Sequence, residues 1–318
     1  MILSLSDTTV SQISKHLVRI RIESGVSSLG RVLTLIVVTT PDTLEEAVEA
    51  AGNAAREHPM RVVVVVSEPG ESQTSVPPRL DAELRVGGDA GSREVIILRA
   101  VGKAAANKVS LVSGLLLPDT PVVTWWAGRW PSGPGDRGLA QISQRRITDS
   151  GFFPDSSDRL LELSRRYRAG DTDLAWARLT LWRAQLAAAL DNSPGREISR
   201  VTVSGTPDSS STTLLAAWLR LQLGVPVTRI DLPIGASVMW GIHSVELHRA
   251  AGDISIVRST GVFAQVTQPG RPSLEVPLPR RPLHECLAED LRLLSPDPQF
   301  GLVVTRAVPL IVSPHEKG

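Results

Sequence analysis

The stretch Arg31–Ser67, RVLTLIVVTTPDTLEEAVEAAGNAAREHPMRVVVVVS, decides the fold class. Its two ends, Arg31–Thr39 and Arg61–Ser67, are continuous β-branched runs, as parallel strands show when both faces of a sheet are buried. Between them, Thr40 and Pro41 begin a run rich in Glu and Ala that predicts a helix. Strand, helix and strand in this order form a βαβ unit, in which the two strands pair in parallel through a right-handed crossover.

Outward from this unit, the rest of the first half continues the α/β pattern. Apolar spacing and composition predict a helix, two strands, a helix and a further strand, in this order: Asp7–Glu23, Leu80–Val86, Glu94–Leu98, Gly102–Leu116 and Pro121–Trp126. The residues that follow, AGRWPSGPGDR, contain three glycines and two prolines. This composition predicts a loop as far as Arg137.

The second half opens with another βαβ unit and then changes pattern. Ile198–Ser204, Thr212–Leu223 and Val225–Ile230 predict strand, helix and strand. From Ser237 to Val276, short alternating runs separated by Gly-bearing turns predict an antiparallel meander. Amphipathic spacing then predicts two terminal helices from Leu283 onward.

A long helix-forming run, Gly170–Asp191, lies between the halves. Asp171, Thr172 and Asp173 supply a cap and negative charge for its first turn. Its apolar residues spread around almost the whole helical wheel, which predicts a buried helix. We expect it to act as a strut that sets how the two domains sit, through Asp173, Trp176, Arg178, Trp182 and Arg183.

The sequence therefore predicts an α/β protein with two domains, whose mixed sheets open with βαβ units and which are joined by a central helical segment. We expect an N-terminal α/β domain over residues 1–150 and a helical connector over 151–192. Residues 193–318 form the predicted C-terminal α/β domain, with the meander and the terminal helices. A chain of 318 residues is long enough for two such cores.

The near-neutral net charge argues against nucleic acid and anionic membranes as partners. The chain has 34 basic and 33 acidic residues and a formal charge of +1, which predicts binding neither to nucleic acid nor to an anionic membrane surface. The longest apolar runs, Val32–Val38 and Val62–Val66, are far too short to span a bilayer. The amino terminus has no signal-peptide pattern. We therefore expect no membrane partner.

Signatures of catalysis, cofactor binding and metal binding are missing. The sequence contains no Gly-x-Gly-x-x-Gly directly at the end of a predicted strand, no phosphate-binding Gly-x-x-x-x-Gly-Lys-Ser/Thr, no Gly-x-Ser-x-Gly and no His-Glu-x-x-His. His284 and Glu285 begin like a zinc-binding helix, but Ala288 stands where the second histidine is needed. Cys286 is the only cysteine, which rules out an intrachain disulfide and a four-thiolate metal site. We predict no catalytic residue, no cofactor and no metal.

One loop is a candidate for binding a small ligand. Ser204–Thr213, SGTPDSSSTT, joins a strand to a helix amino terminus, where free amides and hydroxyls can hold a phosphate. The candidate residues for holding an anion are Ser204, Ser210, Ser211 and Thr212. The simpler interpretation is that one of the last three caps the helix, and it is favoured because the loop contains no basic residue. A sugar-phosphate or nucleotide-binding protein or enzyme using this loop remains an alternative.

Tryptophans cluster at the end of the last predicted strand of the first domain. Three of the seven tryptophans fall within Trp125–Trp130. Strand alternation sends Trp125 and Trp126 to opposite faces, so one is expected to fill the core and the other to be exposed. Arg129 and Arg145–Arg146 lie nearby, and tryptophan and arginine are enriched at interface hot spots. The segment either seals one end of the sheet, which composition alone favours, or faces a partner.

Five segments resemble one family closely: OpcA, the glucose-6-phosphate dehydrogenase assembly proteins, in their actinobacterial form. The segments are long and lie in both halves: GRVLTLIVV (Gly30–Val38), LPDTPVVTWW (Leu117–Trp126), QRRITDS (Gln144–Ser150), GDTDLAWARLTLWR (Gly170–Arg183) and PRRPLHECLAEDL (Pro279–Leu291).

The resemblance implies a cytoplasmic, non-catalytic protein of the oxidative pentose phosphate pathway. Such a protein binds glucose-6-phosphate dehydrogenase, promotes its active oligomer and raises its activity. If this holds, we expect the dehydrogenase to contact Trp126, Arg129, Trp130, Arg145 and Arg146. An adaptor for some other partner is a third interpretation.

Overall fold

A computed structural model describes residues 1–24, 32–68, 77–87, 94–191, 197–233 and 241–312. Its contacts divide the chain into two compact units. Unit 1 comprises Met1–Asp149, Gly170–Thr172 and Leu283–Pro296, and unit 2 comprises Ser150–Ala169, Asp173–Pro282 and Asp297–Gly318. Two α/β units with mixed sheets confirm the predicted fold class. Residues 283–296 belong to unit 1, although the sequence interpretation grouped them with the C-terminal domain; the three predicted domain ranges stay a prediction.

Both units contain strands and helices in alternation. The strands are β1 (Ile2–Leu5), β2 (Leu33–Thr39), β3 (Met60–Val66), β4 (Arg79–Val86), β5 (Glu94–Val101), β6 (Val122–Trp126), β7 (Arg145–Thr148), β8 (Asp171–Asp173), β9 (Ile198–Gly205), β10 (Val227–Asp231), β11 (Ile242–Arg249), β12 (Ile254–Arg258), β13 (Phe263–Thr267) and β14 (Leu274–Pro277). The helices are α1 (Val10–Ser24), α2 (Leu44–Ala54), α3 (Lys103–Ala106), α4 (Lys108–Ser113), α5 (Gly133–Ile142), α6 (Ser156–Arg166), α7 (Leu174–Ala177), α8 (Thr180–Asp191), α9 (Ser210–Leu223), α10 (Leu283–Arg292), α11 (Pro298–Leu302) and α12 (Val308–Val312). Short 3₁₀ turns occupy Pro41–Thr43 and Ser150–Phe152, and Val303–Ala307 is π-helical.

The sheet of unit 1 has the order β1-β4-β5-β3-β2-β6-β7-β8. The middle strands β5, β3, β2, β6 and β7 pair in parallel, and β4 and β1 continue the sheet in antiparallel. Every residue of β2 and β3 is buried, as their continuous apolar runs predicted. Because β2, β3 and β6 run the same way, the loops that follow them gather at one edge of the sheet.

The sheet of unit 2 has the order β10-β9-β11-β12-β13-β14. Strands β9 and β10 pair in parallel with α9 between them in sequence, which confirms the second βαβ unit. The pairs from β11 to β14 are antiparallel, which confirms the meander. Helix α9 is buried along most of its length, with Leu214, Leu215, Ala216 and Ala217 all inaccessible to solvent.

The prediction of a loop from Ala127 to Arg137 is wrong for the residues from Gly133 onward. Helix α5 begins at Gly133, inside the Gly- and Pro-rich segment. Pro134 lies in its first turn, where a missing amide costs no hydrogen bond and the restricted φ suits the helix. Glycine and proline are unfavourable inside a helix, but here they lie in the first turn of one, where they are tolerated.

The predicted long helix over Gly170–Asp191 is also wrong. Its first residues form strand β8 at the edge of the sheet, and the helical part is divided into α7 and α8. Only Trp182, Leu186 and Ala189 of α8 are buried, so this helix buries one side rather than its whole circumference.

Trp125 and Trp126 are both buried, whereas one of them was expected to be exposed. The reason is the position of β6, which lies inside the sheet between β2 and β7. Strand alternation does send the two rings to opposite faces, but both faces are covered.

Candidate functional site

The loop after β6 is held against the turn that follows β2. The amide of Ala127 donates to a β2 carbonyl at 2.9 Å, which extends the pairing of the two strands. Gly128 has a φ of +68°, and a Cβ at this position would lie 2.5 Å from Thr43 Oγ1, so the turn requires glycine. Arg129 and Trp130 follow directly and therefore lie at the edge of the sheet where the parallel strands end.

A buried carboxylate organises this loop. Asp136, in the first turn of α5, is 1% exposed. It accepts hydrogen bonds from Arg129 Nη2 at 2.9 Å, from the Ser132 amide at 2.8 Å and from Lys108 Nζ at 3.2 Å. Lys108 is also buried and donates to Ser67 Oγ at 2.9 Å. Sequence reasoning missed this cluster, because nothing local links Asp136 to a lysine in another helix.

Arg145 and Arg146 are both engaged in ion pairs within unit 1. Arg145 Nη2 donates to the carboxylate of Asp290 in α10, and its Nη1 donates to a carbonyl after that helix at 3.1 Å. Arg146 donates through Nε to Asp171 in β8. The buried Asp290 also accepts a hydrogen bond from Thr172 Oγ1 at 3.2 Å. These arginines thus tie β7 to α10 and β8.

The five residues predicted to contact a partner are therefore not equally accessible. Trp126 and Arg145 are buried. The side chain of Arg146 is 12% exposed and that of Arg129 is 16% exposed, while Trp130 is partly exposed. Arg129, Trp130 and Arg146 are thus the members of this set that reach solvent, and their contact with a partner stays a prediction.

Asp173, the first of the five predicted strut residues, is a buried cap in unit 2. Its carboxylate accepts from the Ala175 amide at 3.0 Å, at the start of α7. It also accepts from the amide and the hydroxyl of Ser150, both at 2.9 Å. The carboxylate therefore fixes the start of α7 against the turn at Ser150–Phe152.

Trp176 and Arg183 form a stack in unit 2. The Trp176 indole donates through Nε1 to Asp297 at 2.9 Å, and its ring lies 5.7 Å from that of Phe300. The guanidinium of Arg183 lies 4.0 Å from the centre of the Trp176 ring. An arginine placed over an aromatic face in this way makes a cation–π contact. The remaining two strut residues, Arg178 and Trp182, line a cavity.

This cavity, of about 290 Å³, lies in unit 2 beside the amino terminus of α9. Ser209, Ser210 and Ser211 line it. The helix cap is Ser209 rather than one of the residues predicted, since its Oγ accepts from the Thr212 amide at 3.2 Å. Ser204 and Thr212 are buried, and neither is among the residues that line the cavity.

Basic residues reach this cavity from other parts of unit 2. Arg178 follows α7, Arg258 ends β12, and Arg280 and Arg281 lie between β14 and α10. The loop itself contains no basic residue, so sequence reasoning had no signal for them. Only the packing of unit 2 places four guanidinium groups next to the serines.

Within the described ranges, no three His, Cys, Asp or Glu side chains come together as a metal-binding group. No helix among those residues has the length and apolar character that crossing a bilayer requires.

Two protein-family models match this chain, one in each half. A family model described as the N-terminal domain of a glucose-6-phosphate dehydrogenase subunit matches residues 51–165. A second model, described as the C-terminal domain of the same kind of protein, matches residues 169–304. The chain belongs to the OpcA family. The two OpcA matches follow one another along the chain and confirm the resemblance inferred from its motifs. A search of curated proteins found no match.

The OpcA chain also has a distant likeness to solved structures. KijD10, a 3-ketoreductase from Actinomadura kijaniata in complex with TDP-benzene and NADP, is 10% identical, with a TM-score of 0.48 over 89% of this chain and 97% of the other. An oxidoreductase from Sinorhizobium meliloti is 10% identical, with a TM-score of 0.49 over 88% and 96%. An oxidoreductase from Thermotoga maritima is 12% identical, with a TM-score of 0.42 over 89% and 95%. Similarity at this level supports no statement about activity.

Proposed function

We propose that this chain is a cytoplasmic, non-catalytic assembly factor of glucose-6-phosphate dehydrogenase, which activates the enzyme by binding and stabilising its active oligomer. The proposal rests on the two family matches, which together extend from residue 51 to residue 304. The descriptions of both family models name that dehydrogenase. The partner is accordingly the dehydrogenase, and the process is the oxidative pentose phosphate pathway.

Activation of this kind has a definite energetic requirement. An activator that acts by shifting populations must bind the active state of the enzyme more tightly than the inactive state. A tenfold activation by this route needs about 1.4 kcal/mol of differential binding free energy. Desolvating one or two tryptophan or arginine side chains in a contact is enough to supply that amount.

We place the contact on the Arg129–Trp130 loop. Trp130 is partly exposed, and the neighbouring Arg129 is held by the buried carboxylate of Asp136. Trp126 is buried, and Arg145 and Arg146 form ion pairs within unit 1 with Asp290 and Asp171, so these three side chains are less available to a partner. A loop that is already ordered in the free chain loses little conformational entropy when a partner binds it.

The proposal is tested by measuring dehydrogenase activity, with enzyme from the same source, at a fixed low enzyme concentration across a titration of this chain. We expect a saturable rise in rate that is absent when the chain is assayed alone, together with a complex on size-exclusion chromatography. A flat rate with no complex would contradict the assembly role.

The location of the contact is tested with Trp130→Ala. We expect half-saturation to require at least about tenfold more protein, since the loss of a hot-spot tryptophan costs more than about 1.4 kcal/mol. Leu293→Ala is the matched control, because Leu293 is an apolar side chain in the same unit that is 66% exposed. If both variants activate like the parent protein while remaining folded, the contact lies elsewhere and the assembly role is unaffected.

A further inference from the structure

The cavity beside α9 carries an excess of positive charge. Arg178, Arg258, Arg280 and Arg281 line it, and Asp208 is the single acidic residue among the described residues that do so. Within the described part of the chain, neither Arg258 nor Arg280 has a carboxylate oxygen within 4.0 Å. A concave site with this balance attracts anions.

Arg258 is held in place by neutral groups. Its Nη1 donates to the carbonyls of Leu278 at 2.6 Å and Gly261 at 3.3 Å, and its guanidinium lies 5.5 Å from the centre of the Trp182 ring. Burial and, secondarily, the charge of Arg280 lower the pKa of Arg258 to about 10, so the side chain is still protonated at neutral pH. A cation in surroundings that disfavour its charge is stabilised by a bound anion.

The start of α9 offers hydrogen-bond donors to the same space. The helix has 14 residues, and the amides of Ser210 and Ser211 in its first turn have no acceptor within the helix. Ser210 is 1% exposed and lines the cavity, and its hydroxyl forms no hydrogen bond with any described residue. Amides at a helix amino terminus together with the helix dipole favour phosphate groups.

The walls of the cavity are fixed by contacts within unit 2. Arg281 Nη1 donates to the Ala177 carbonyl at 2.8 Å, and Ser156 Oγ donates to the Asp208 carbonyl. Asp208 has a φ of +49°, a conformation that Asp and Asn adopt more readily than most residues. The donors are therefore positioned before any ligand arrives, which lowers the entropic cost of binding.

We propose that this cavity binds a small phosphorylated metabolite, with the phosphate oxygens on the amides of Ser210 and Ser211 and on the guanidinium groups of Arg258 and Arg280. A volume of about 290 Å³ lies at the lower end of the range for ligand pockets, which favours a ligand of sugar-phosphate size over a dinucleotide. The site goes beyond activation of the dehydrogenase and does not depend on it, because binding is a property of this chain alone.

Isothermal titration calorimetry of the full chain tests this site, with inorganic phosphate and glucose 6-phosphate as probes at constant ionic strength and glucose as the neutral control. We expect saturable binding with one site per chain for glucose 6-phosphate, weaker binding of inorganic phosphate and no binding of glucose. If neither phosphate probe shows saturable binding, the proposal is overturned.

Three variants locate the binding. Arg280→Gln, at the exposed rim, is expected to weaken binding about tenfold, since it removes a charge-assisted hydrogen bond to the phosphate. Asp208→Asn is expected to tighten binding a few-fold, because it removes a negative charge from the cavity and keeps a residue that tolerates a positive φ. Arg271→Gln removes the same charge from an exposed position in unit 2 that does not line the cavity and is expected to have no effect.

Equal loss of affinity in Arg280→Gln and Arg271→Gln would overturn the site, since it would mean that phosphate responds only to the net charge of the chain. These measurements use no dehydrogenase. A failure of the phosphate site therefore leaves the assembly role standing, and the reverse also holds.

Discussion

Replacing Asp136 with alanine is expected to destabilise unit 1 by about 3 kcal/mol. The carboxylate is 1% exposed, and it accepts hydrogen bonds from two cationic side chains and one amide. Removing one partner of a buried ion pair costs about 3–5 kcal/mol. We take the lower end of that range because Lys108 keeps its hydrogen bond to Ser67 and the side chain of Arg129 can turn toward solvent.

The matched control is Arg129→Ala. It removes only the more exposed cation and leaves Asp136 with Lys108 and the Ser132 amide, so we expect a cost of about 1 kcal/mol. Both variants are compared by urea denaturation, since guanidinium is itself a salt and would screen the ion pairs. The midpoint should shift while the slope m is unchanged.

If Asp136→Ala is no more destabilising than Arg129→Ala, the buried carboxylate is not the group that holds the cluster. A destabilised Asp136→Ala that still activates the dehydrogenase fully would show instead that the cluster serves stability and not the contact at Trp130.

Two further substitutions test local features. Gly128→Ala is expected to cost about 1–3 kcal/mol of unfolding free energy, because it places a side chain at a positive φ and against the side chain of Thr43; a urea midpoint equal to that of the parent protein would show that the turn does not need glycine. Trp176→Phe preserves an aromatic ring in unit 2 but removes the donor to Asp297, so we expect a loss of about 1 kcal/mol in thermal or urea denaturation. A loss as large as that caused by Trp176→Ala would mean that the indole hydrogen bond, and not the packing of the ring, dominates.

The strands buried on both faces were the most predictable elements of this chain. Their β-branched runs predict the ends of β2 and β3 to within two residues of the observed ends. The prediction is this close because both faces of each strand are buried, so every position along it must be apolar or able to be buried. The start of α5 was not predictable, because glycine and proline are tolerated in a first helical turn and their composition alone looks like a loop.

The ion pairs that shape the candidate surface were beyond sequence reasoning. Arg145 and Asp290 are separated by 145 residues, and Lys108 and Asp136 by 28. An arginine next to a tryptophan cluster has the same local sequence whether it faces a partner or a buried aspartate. The sequence therefore identified the residue types of an interface but not which of them are accessible.

By itself, the sequence determined the α/β class, the two βαβ openings, the meander and the family, because backbone preference and burial periodicity are local properties repeated along the chain. The tertiary structure alone decided that four arginines from three segments line the same cavity as the serines at the start of α9. Charges act through space and not along the chain, so a loop without a basic residue can still become a cationic site once the fold brings distant guanidinium groups to it.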